Sequence, residues 1–92
     1  MRLTMERVAH IERRHPEMSG QDERILETVA TPDYVQKGDA GTLIAVKYCP
    51  KTLMTEKFCV VIYKELDRED GFVLTAYFTG RPAEWRKVSW KP

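Results

Sequence analysis

The stretch Gly71-Phe-Val-Leu-Thr-Ala-Tyr-Phe-Thr79 decides the fold, because it combines β-branched and aromatic residues without a helix-type repeat. Successive side chains of a strand point to opposite faces of a sheet, so this strand is expected to present one apolar face and one hydroxyl-rich face. The apolar set is Phe72, Leu74, Ala76 and Phe78, and the hydroxyl-rich set is Val73, Thr75, Tyr77 and Thr79.

Two stretches upstream, residues 42–49 and 57–66, show the same enrichment and are predicted strands. The polar connector at 67–71 ends in glycine, which is typical of an antiparallel hairpin. Pro50-Lys51-Thr52 is expected to link the first two strands in the same way. We therefore expect a three-stranded meander, to which the tail with Trp85, Val88 and Trp90 adds a short fourth strand or a cover over the sheet edge.

The residues before this sheet follow a helical repeat instead. Thr4 is a good N-cap residue, and the apolar spacing after it predicts a helix over about 5–15. Pro16 should end that helix, because proline disfavours helical geometry in the residue before it, and His15 then lies at the corner. After Ser19-Gly20, a second helix is predicted over about 21–30.

The element order predicts an α+β fold with two N-terminal helices packed on one face of a three- to four-stranded antiparallel β-meander. A chain of 92 residues has room for one hydrophobic core, so a single domain over residues 1–92 is expected. The net charge is only +1, which means that nucleic-acid binding would have to come from a local patch. Such a patch is available in the basic cluster of Arg81, Arg86, Lys87 and Lys91, which is also compatible with a solvated tail.

The helices should cover the more apolar sheet face, which leaves a second face with hydroxyls, aromatic rings and a cation. A fixed cation can stabilise the charge of a pentavalent phosphate, hydroxyls can bind phosphate oxygens, and tyrosines can stack on unpaired bases. Strand preference and ordinary exposure explain the same residues equally well. The residues expected on this face are Lys47, Tyr63, Thr75, Tyr77 and Thr79.

Both histidines lie in or next to the first predicted helix. His10 and Arg14 share one helical side, whereas His15 aligns with the apolar residues. A histidine exchanges a proton near neutral pH, which 2′-hydroxyl activation or leaving-group protonation in RNA cleavage requires. The alternative is structural: His15 buried against a carbonyl, and His10 exposed or packed.

Other chemistries have little support in the sequence. Cys49 and Cys59 lack the spacing of zinc or redox sites, so no metal or other cofactor is expected. No signal peptide is visible, which favours a reducing, cytoplasmic setting. The longest apolar stretch, residues 59–63, is far below the roughly 20 residues that a membrane span needs.

A linked set of short motifs covers almost the whole chain. The most specific are Arg14-His15-Pro16-Glu17 and the strand at 73–79, and Trp90 stands near the end. Together the motifs resemble the phage and bacterial barnase–EndoU–colicin–RelE-like nuclease domains. The further members of the set are Leu3-Thr4, His10-Ile11, Ile25 with Thr28-Val29, and Pro32-Asp33.

This resemblance implies metal-independent cleavage of RNA. A helix histidine, a strand cation and a late-strand hydroxyl would act, which in this sequence are His10 or His15, Lys47, and Thr75 or Thr79. We expect a ribonuclease of toxin–antitoxin or phage-linked type, with RNA and an antitoxin or immunity-type protein as partners. The alternative is a non-catalytic RNA-binding or protein-interaction module. The residues expected to contact the substrate are Arg14, Tyr63, Tyr77 and Arg81.

Overall fold

The computed structural model describes residues 1–50, 55, 57–67 and 70–91. In this part of the chain, two helices precede the sheet: α1 (Met5–Arg14) and α2 (Asp22–Ala30). The strands are β1 (Tyr34–Lys37), β2 (Leu43–Tyr48), β3 (Phe58–Glu65), β4 (Gly71–Thr79) and β5 (Val88–Trp90). The predicted link at 51–52 and the middle of the predicted hairpin connector, residues 68–69, lie outside the described residues.

The strands form one sheet in the order β4-β3-β2-β1-β5, and all neighbours are antiparallel. The predicted α+β class is confirmed, but the sheet has five strands rather than three or four. β1 was not predicted, and the tail supplies β5, which pairs with β1 at the edge opposite β4. Residues 80–87 therefore connect the two edges of the sheet.

Helix α1 begins and ends where its capping residues predict. The Thr4 hydroxyl accepts a hydrogen bond from the Arg7 backbone N–H at 3.1 Å, which satisfies one of the free donors at the helix start. His15 leaves helical geometry with φ −134° and ψ 79°, and Pro16 opens a short 3-10 helix, Pro16–Met18. The chain thus turns sharply at His15, as predicted.

The helices cover one face of the sheet, which we call the helix-covered face. Ile11 of α1 and Ile25 of α2 are each 1% exposed and pack in the main core cluster. The two clusters on this face also contain Cys49, which follows β2, and the strand residues Val35, Ala45, Cys59, Val61, Tyr63, Val73, Ala76 and Phe78.

The opposite side, which we call the outer face, has an apolar centre and a polar edge. Val46 and Val60 are buried on it, and the connection 80–87 approaches it where the Gln36 amide donates to the Ala83 carbonyl at 2.6 Å. The register places these residues on the outer face: Tyr34, Gln36, Ile44, Val46, Tyr48, Phe58, Val60, Ile62, Thr75, Tyr77 and Thr79.

A register shift in β4 corrects the predicted faces of that strand. Ile62 pairs with Thr75, but the next residue of β3, Tyr63, pairs with Val73, so Leu74 is an additional residue in β4. A bulge of this kind reverses the alternation on one side of it. Val73 consequently joins Ala76 in the helix-covered core, and its predicted place beside Thr75 is wrong.

Candidate functional site

Three hydroxyl side chains lie together on the outer face of β4. Thr75, Tyr77 and Thr79 pair across the sheet with Ile62, Val60 and Phe58, respectively. On the other side of β4, Arg2 forms an isolated parallel bridge with Phe72, and the described residues add no strand neighbour along residues 75–79. The predicted grouping of these three hydroxyls on one face is therefore confirmed, and the group lies at an open edge.

His15 reaches this group from the other side of the sheet. Its ring lies against the Tyr77 ring, with 5.5 Å between the ring centroids and 33° between the planes. The contact arises because the chain turns at Pro16 and the short helix after it packs against β4. The His15 side chain stays one-third exposed, and its Nδ1 lies 4.0 Å from a carboxylate oxygen of Glu17. The His15 imidazole thus contacts the ring of Tyr77, one of the three hydroxyl residues, and has a carboxylate 4.0 Å away.

The hydroxyls differ in their hydrogen bonds. Within the described part of the chain, the Thr75 oxygen is a buried side-chain atom without a hydrogen-bond partner. The Thr79 hydroxyl accepts from the Arg81 N–H at 3.2 Å and lies 3.4 Å from the Arg81 carbonyl oxygen, to which it donates. Thr79 therefore fixes the backbone at exposed Arg81, whereas the Thr75 hydroxyl has unused bonding capacity.

Lys47 lies on the helix-covered side, which corrects its predicted place. It pairs with Cys59, which in turn pairs with Phe78 of the helix-covered core. Its ammonium group donates to the carbonyl and hydroxyl oxygens of Thr31 at 2.6 and 3.1 Å. Thr31 is the C-cap of α2, so Lys47 binds a helix end, where a cation is stabilising.

Tyr63 is also separated from the outer face. It pairs with Leu43 and Val73 and is only 4% exposed, in a cluster with Val35 and Ala45. Burial, followed by the nearby charge of Glu65, raises the pKa of its phenol. Its predicted contact with an unpaired base is not compatible with this position.

His10 and His15 belong to different surroundings. Five residues along a helix rotate a side chain by about 140°, so the two rings cannot share a helix side. His10 lies in a cleft on α1 with Arg7 and Arg13. The pKa of His10 is lowered by partial loss of water around the ring and then by the charges of Arg7, Arg14 and Arg13. Of the two histidines, His15 is the one that contacts Tyr77.

The sequence did not predict an aromatic pair that lies beside Thr79 on the outer face. Tyr48 is 50% exposed, and its ring lies 5.1 Å from the Phe58 ring, centroid to centroid, at 50°. Tyr48 and Phe58 are cross-strand partners, and Phe58 pairs onward with Thr79. Only the strand register brings them together, so no local sequence signal could have identified this pair.

One residue of the predicted basic cluster, Arg86, forms contacts within the fold. Arg86 forms two hydrogen bonds with the Asp39 carboxylate, at 3.2 and 3.3 Å, and its guanidinium lies 4.3 Å from the Trp85 ring centroid. The Arg86 hydrogen bonds lower the pKa of Asp39. Arg86 thus ties the 80–87 connection to the turn after β1, while Arg81 and Lys91 remain exposed.

Neither cysteine pairs with the other, and both are buried. Burial raises the pKa of Cys59 to about 11, so the thiolate form is rare at neutral pH. No cluster of three or more histidine, cysteine or acidic residues suited to a metal ion occurs among the described residues. No described helix combines the length and apolar character that crossing a bilayer requires.

Comparisons with protein-family models, curated proteins and solved structures give no match to this chain. The resemblance to barnase–EndoU–colicin–RelE-like nuclease domains accordingly remains a prediction from the sequence motifs. What the structure contributes is the arrangement of the residues: His15 and the β4 hydroxyls lie together, and Lys47 and Tyr63 lie elsewhere.

Proposed function

We propose that this protein is a metal-independent endoribonuclease whose active site is formed by His15 and Tyr77 at the β4 edge. The observation that carries the proposal is the contact between the His15 and Tyr77 rings. It places a side chain that can transfer protons near neutral pH beside hydroxyls that can bind phosphate. The partly exposed imidazole is accessible to a substrate lying across the edge.

Substrate binding would use the outer face. Tyr48 and Phe58 present aromatic surface on it, and Tyr77 is a diagonal neighbour of Phe58 on the same face. Sequence-specific and non-specific binders of single-stranded RNA both stack unpaired bases on such rings. Exposed Arg81, at the end of β4, supplies a cation for the phosphate backbone.

The reaction would be transesterification within the RNA. His15 removes the proton of a 2′-hydroxyl, the 2′-oxygen attacks the adjacent phosphorus, and the bond from phosphorus to the 5′-oxygen breaks. The products are a 2′,3′-cyclic phosphate and a 5′-hydroxyl, whose proton comes from solvent. The Tyr77 hydroxyl donates to a non-bridging phosphate oxygen, and the Glu17 carboxylate stabilises the imidazolium that forms.

Analysis of the cleavage products tests this proposal. Purified protein is incubated with mixed RNA in excess EDTA, beside the same sequences made as DNA. We expect RNA fragments that end in 2′,3′-cyclic phosphate and no cleavage of DNA, because DNA lacks the attacking hydroxyl. Intact RNA, or cleavage of DNA at a similar rate, would rule the mechanism out.

A protein-interaction module is the second candidate, and a separate surface favours it. Trp85, Val88 and Trp90 are 77%, 47% and 48% exposed around the short edge strand β5. Exposed aromatic residues beside an edge strand are common at binding surfaces. The proposed partner is an antitoxin or immunity-type protein of a phage-linked system in the cytoplasm. Co-expression with the neighbouring gene product should give a stable complex that Trp90→Ser disrupts, and unchanged co-purification of that variant would contradict this surface.

A further inference from the structure

Helix α1 carries four basic side chains on one flank. Arg7, His10 and Arg14 recur at three- and four-residue spacing and so share a side of the helix, with Arg13 next to them. A cleft of about 300 Å³ opens on this flank. Its lining residues are Thr4, Glu6, Arg7, His10 and Arg13.

The positive charge of this cleft is poorly balanced. Among the described residues, no ion pair involves Arg7, Arg13 or Arg14, and Glu6 is the one acid that lines the cleft. Partial loss of water around the ring lowers the pKa of His10, and the charges of Arg7, Arg14 and Arg13 lower it further. A bound anion would reduce the repulsion among these positive groups.

The cleft and the proposed active site lie along the same sheet edge. The Arg7 guanidinium donates to the carbonyl of Leu74, the bulged residue of β4, at 3.2 Å. At the other end of α1, His15 contacts Tyr77. The eight-residue separation between Arg7 and His15 corresponds to about 12 Å of helix, and the three-residue separation between Leu74 and Tyr77 to about 10 Å of strand. The basic flank therefore meets β4 at Leu74, about 10 Å along the strand from Tyr77.

We infer that this cleft binds the phosphate backbone of the RNA segment next to the cleaved bond. The inference rests on the proposed function, and it adds a substrate path that leaves the outer face at Thr75 and crosses the β4 edge onto α1. Guanidinium groups bind phosphate oxygens through paired hydrogen bonds, and Arg7 is already held in place by the Leu74 carbonyl. The ligand is thus a single-stranded polynucleotide.

The test is the salt dependence of RNA binding. A labelled oligouridine with 2′-O-methyl groups, which cannot be cleaved, is titrated with protein at several KCl concentrations and followed by fluorescence anisotropy. The variants are Arg13→Gln, Arg13→Lys, and the control Lys37→Gln on β1, three strands away from β4. All replace exposed residues, and circular dichroism confirms that each remains folded.

We expect Arg13→Gln to reduce the slope of log K against log salt by about 0.7, the value for one lost phosphate contact on a single strand. That loss corresponds to about fivefold weaker binding near 0.1 M salt. Arg13→Lys should retain most of the slope, and Lys37→Gln should retain all of it. If Arg13→Gln keeps the wild-type slope, the cleft does not bind the phosphate backbone. An equal decrease of the slope in Lys37→Gln would contradict the proposal as well.

The outcomes also separate the cleft from the proposed catalysis. If unmodified RNA is cleaved normally and the Arg13→Gln slope is unchanged, the cleft does not bind RNA, but the proposed ribonuclease activity stands. If the Arg13→Gln slope is reduced but the wild-type protein cleaves no RNA, the cleft binds RNA and the proposed ribonuclease activity is wrong. Failure of the wild-type protein to bind the oligonucleotide would overturn both.

Discussion

At the scale of single residues, His15 owes its position to the proline that follows it. Pro16 prevents His15 from continuing α1, and the resulting turn directs the imidazole to the Tyr77 ring rather than into the core. The sequence allowed the prediction of the corner, because His-Pro is a strong local signal. It did not reveal which strand His15 would meet, since that depends on how the helix packs on the sheet.

Lys47 shows the limit of reading a residue by type. A lysine among apolar strand residues is compatible with a phosphate site or with a cap for a helix end, and the sequence alone does not show which helix end lies above it. The hydrogen bonds to Thr31 identify the cap.

We predict that Lys47→Met lowers the free energy of unfolding by about 1 kcal/mol, because the C-terminus of α2 loses its cation and hydrogen bonds. Urea titration measures this change, and Lys64→Met, an exposed lysine on β3, serves as the control. Cleavage per folded molecule should stay at the wild-type level. A Lys47→Met protein that is folded but does not cleave RNA would show that Lys47 acts in the active site.

The buried thiol of Cys59 gives a prediction about pH. Burial raises its pKa from 9.0 to about 11, so the folded protein holds the thiol proton more tightly than the unfolded chain does. The stabilisation is complete below pH 9 and is lost as the pH rises towards 11. Unfolding in urea should show this loss for the wild-type protein, and Cys59→Ala should show a smaller one. Identical pH profiles for the two proteins would contradict the assignment.

At the scale of elements, the identity of the helices and long strands followed from local pattern, but β1 and the β4 bulge did not. Tyr34–Lys37 is short, half polar and preceded by Pro32-Asp33, so its strand character comes from pairing with β2 and β5. The extra residue Leu74 leaves no composition signal, because Phe72 and Val73 before it are apolar as well. Val73 was consequently placed on the wrong face.

The start of β4 depends on a glycine. A Cβ atom at Gly71 would lie 2.5 Å from the Lys64 carbonyl oxygen, a backbone atom of the paired strand. We predict that Gly71→Ala destabilises the fold by about 2 kcal/mol through this clash. Gly20→Ala is the comparison, because φ is +74° there with nothing within 4 Å, and it should cost about 1 kcal/mol. Thermal unfolding measures both, and a smaller loss for Gly71→Ala than for Gly20→Ala would show that β3 and β4 separate easily.

At the scale of the whole molecule, the chain crosses from one edge of the sheet to the other between β4 and β5. This crossing is held to the outer face by the Gln36 bond to Ala83 and by the Arg86–Asp39 pair. The sequence indicated neither contact, because each joins residues 47 positions apart. The order of the strands and the covered part of the outer face are thus properties of long-range pairing.

Gln36, which holds the crossing through Ala83, is buried, with 3% of its surface exposed. We predict that Gln36→Leu lowers the free energy of unfolding by about 1–3 kcal/mol, because the Ala83 carbonyl loses its donor beside an apolar surface. Hydrogen exchange of the β5 amides should accelerate in this variant more than exchange in β3. Uniform acceleration throughout the sheet would indicate general destabilisation and not a loosened crossing.

The central claim is that the meeting of His15 with Tyr77 forms a ribonuclease site. The most direct measurement is the initial rate of RNA cleavage in EDTA for the wild-type protein, His15→Gln, and the control Glu23→Gln in the exposed first turn of α2. Loss of a proton-transfer group should slow cleavage by about a hundredfold or more, while binding of the uncleavable oligonucleotide and the control rate stay unchanged. A folded His15→Gln protein that cleaves RNA at the wild-type rate would contradict the claim.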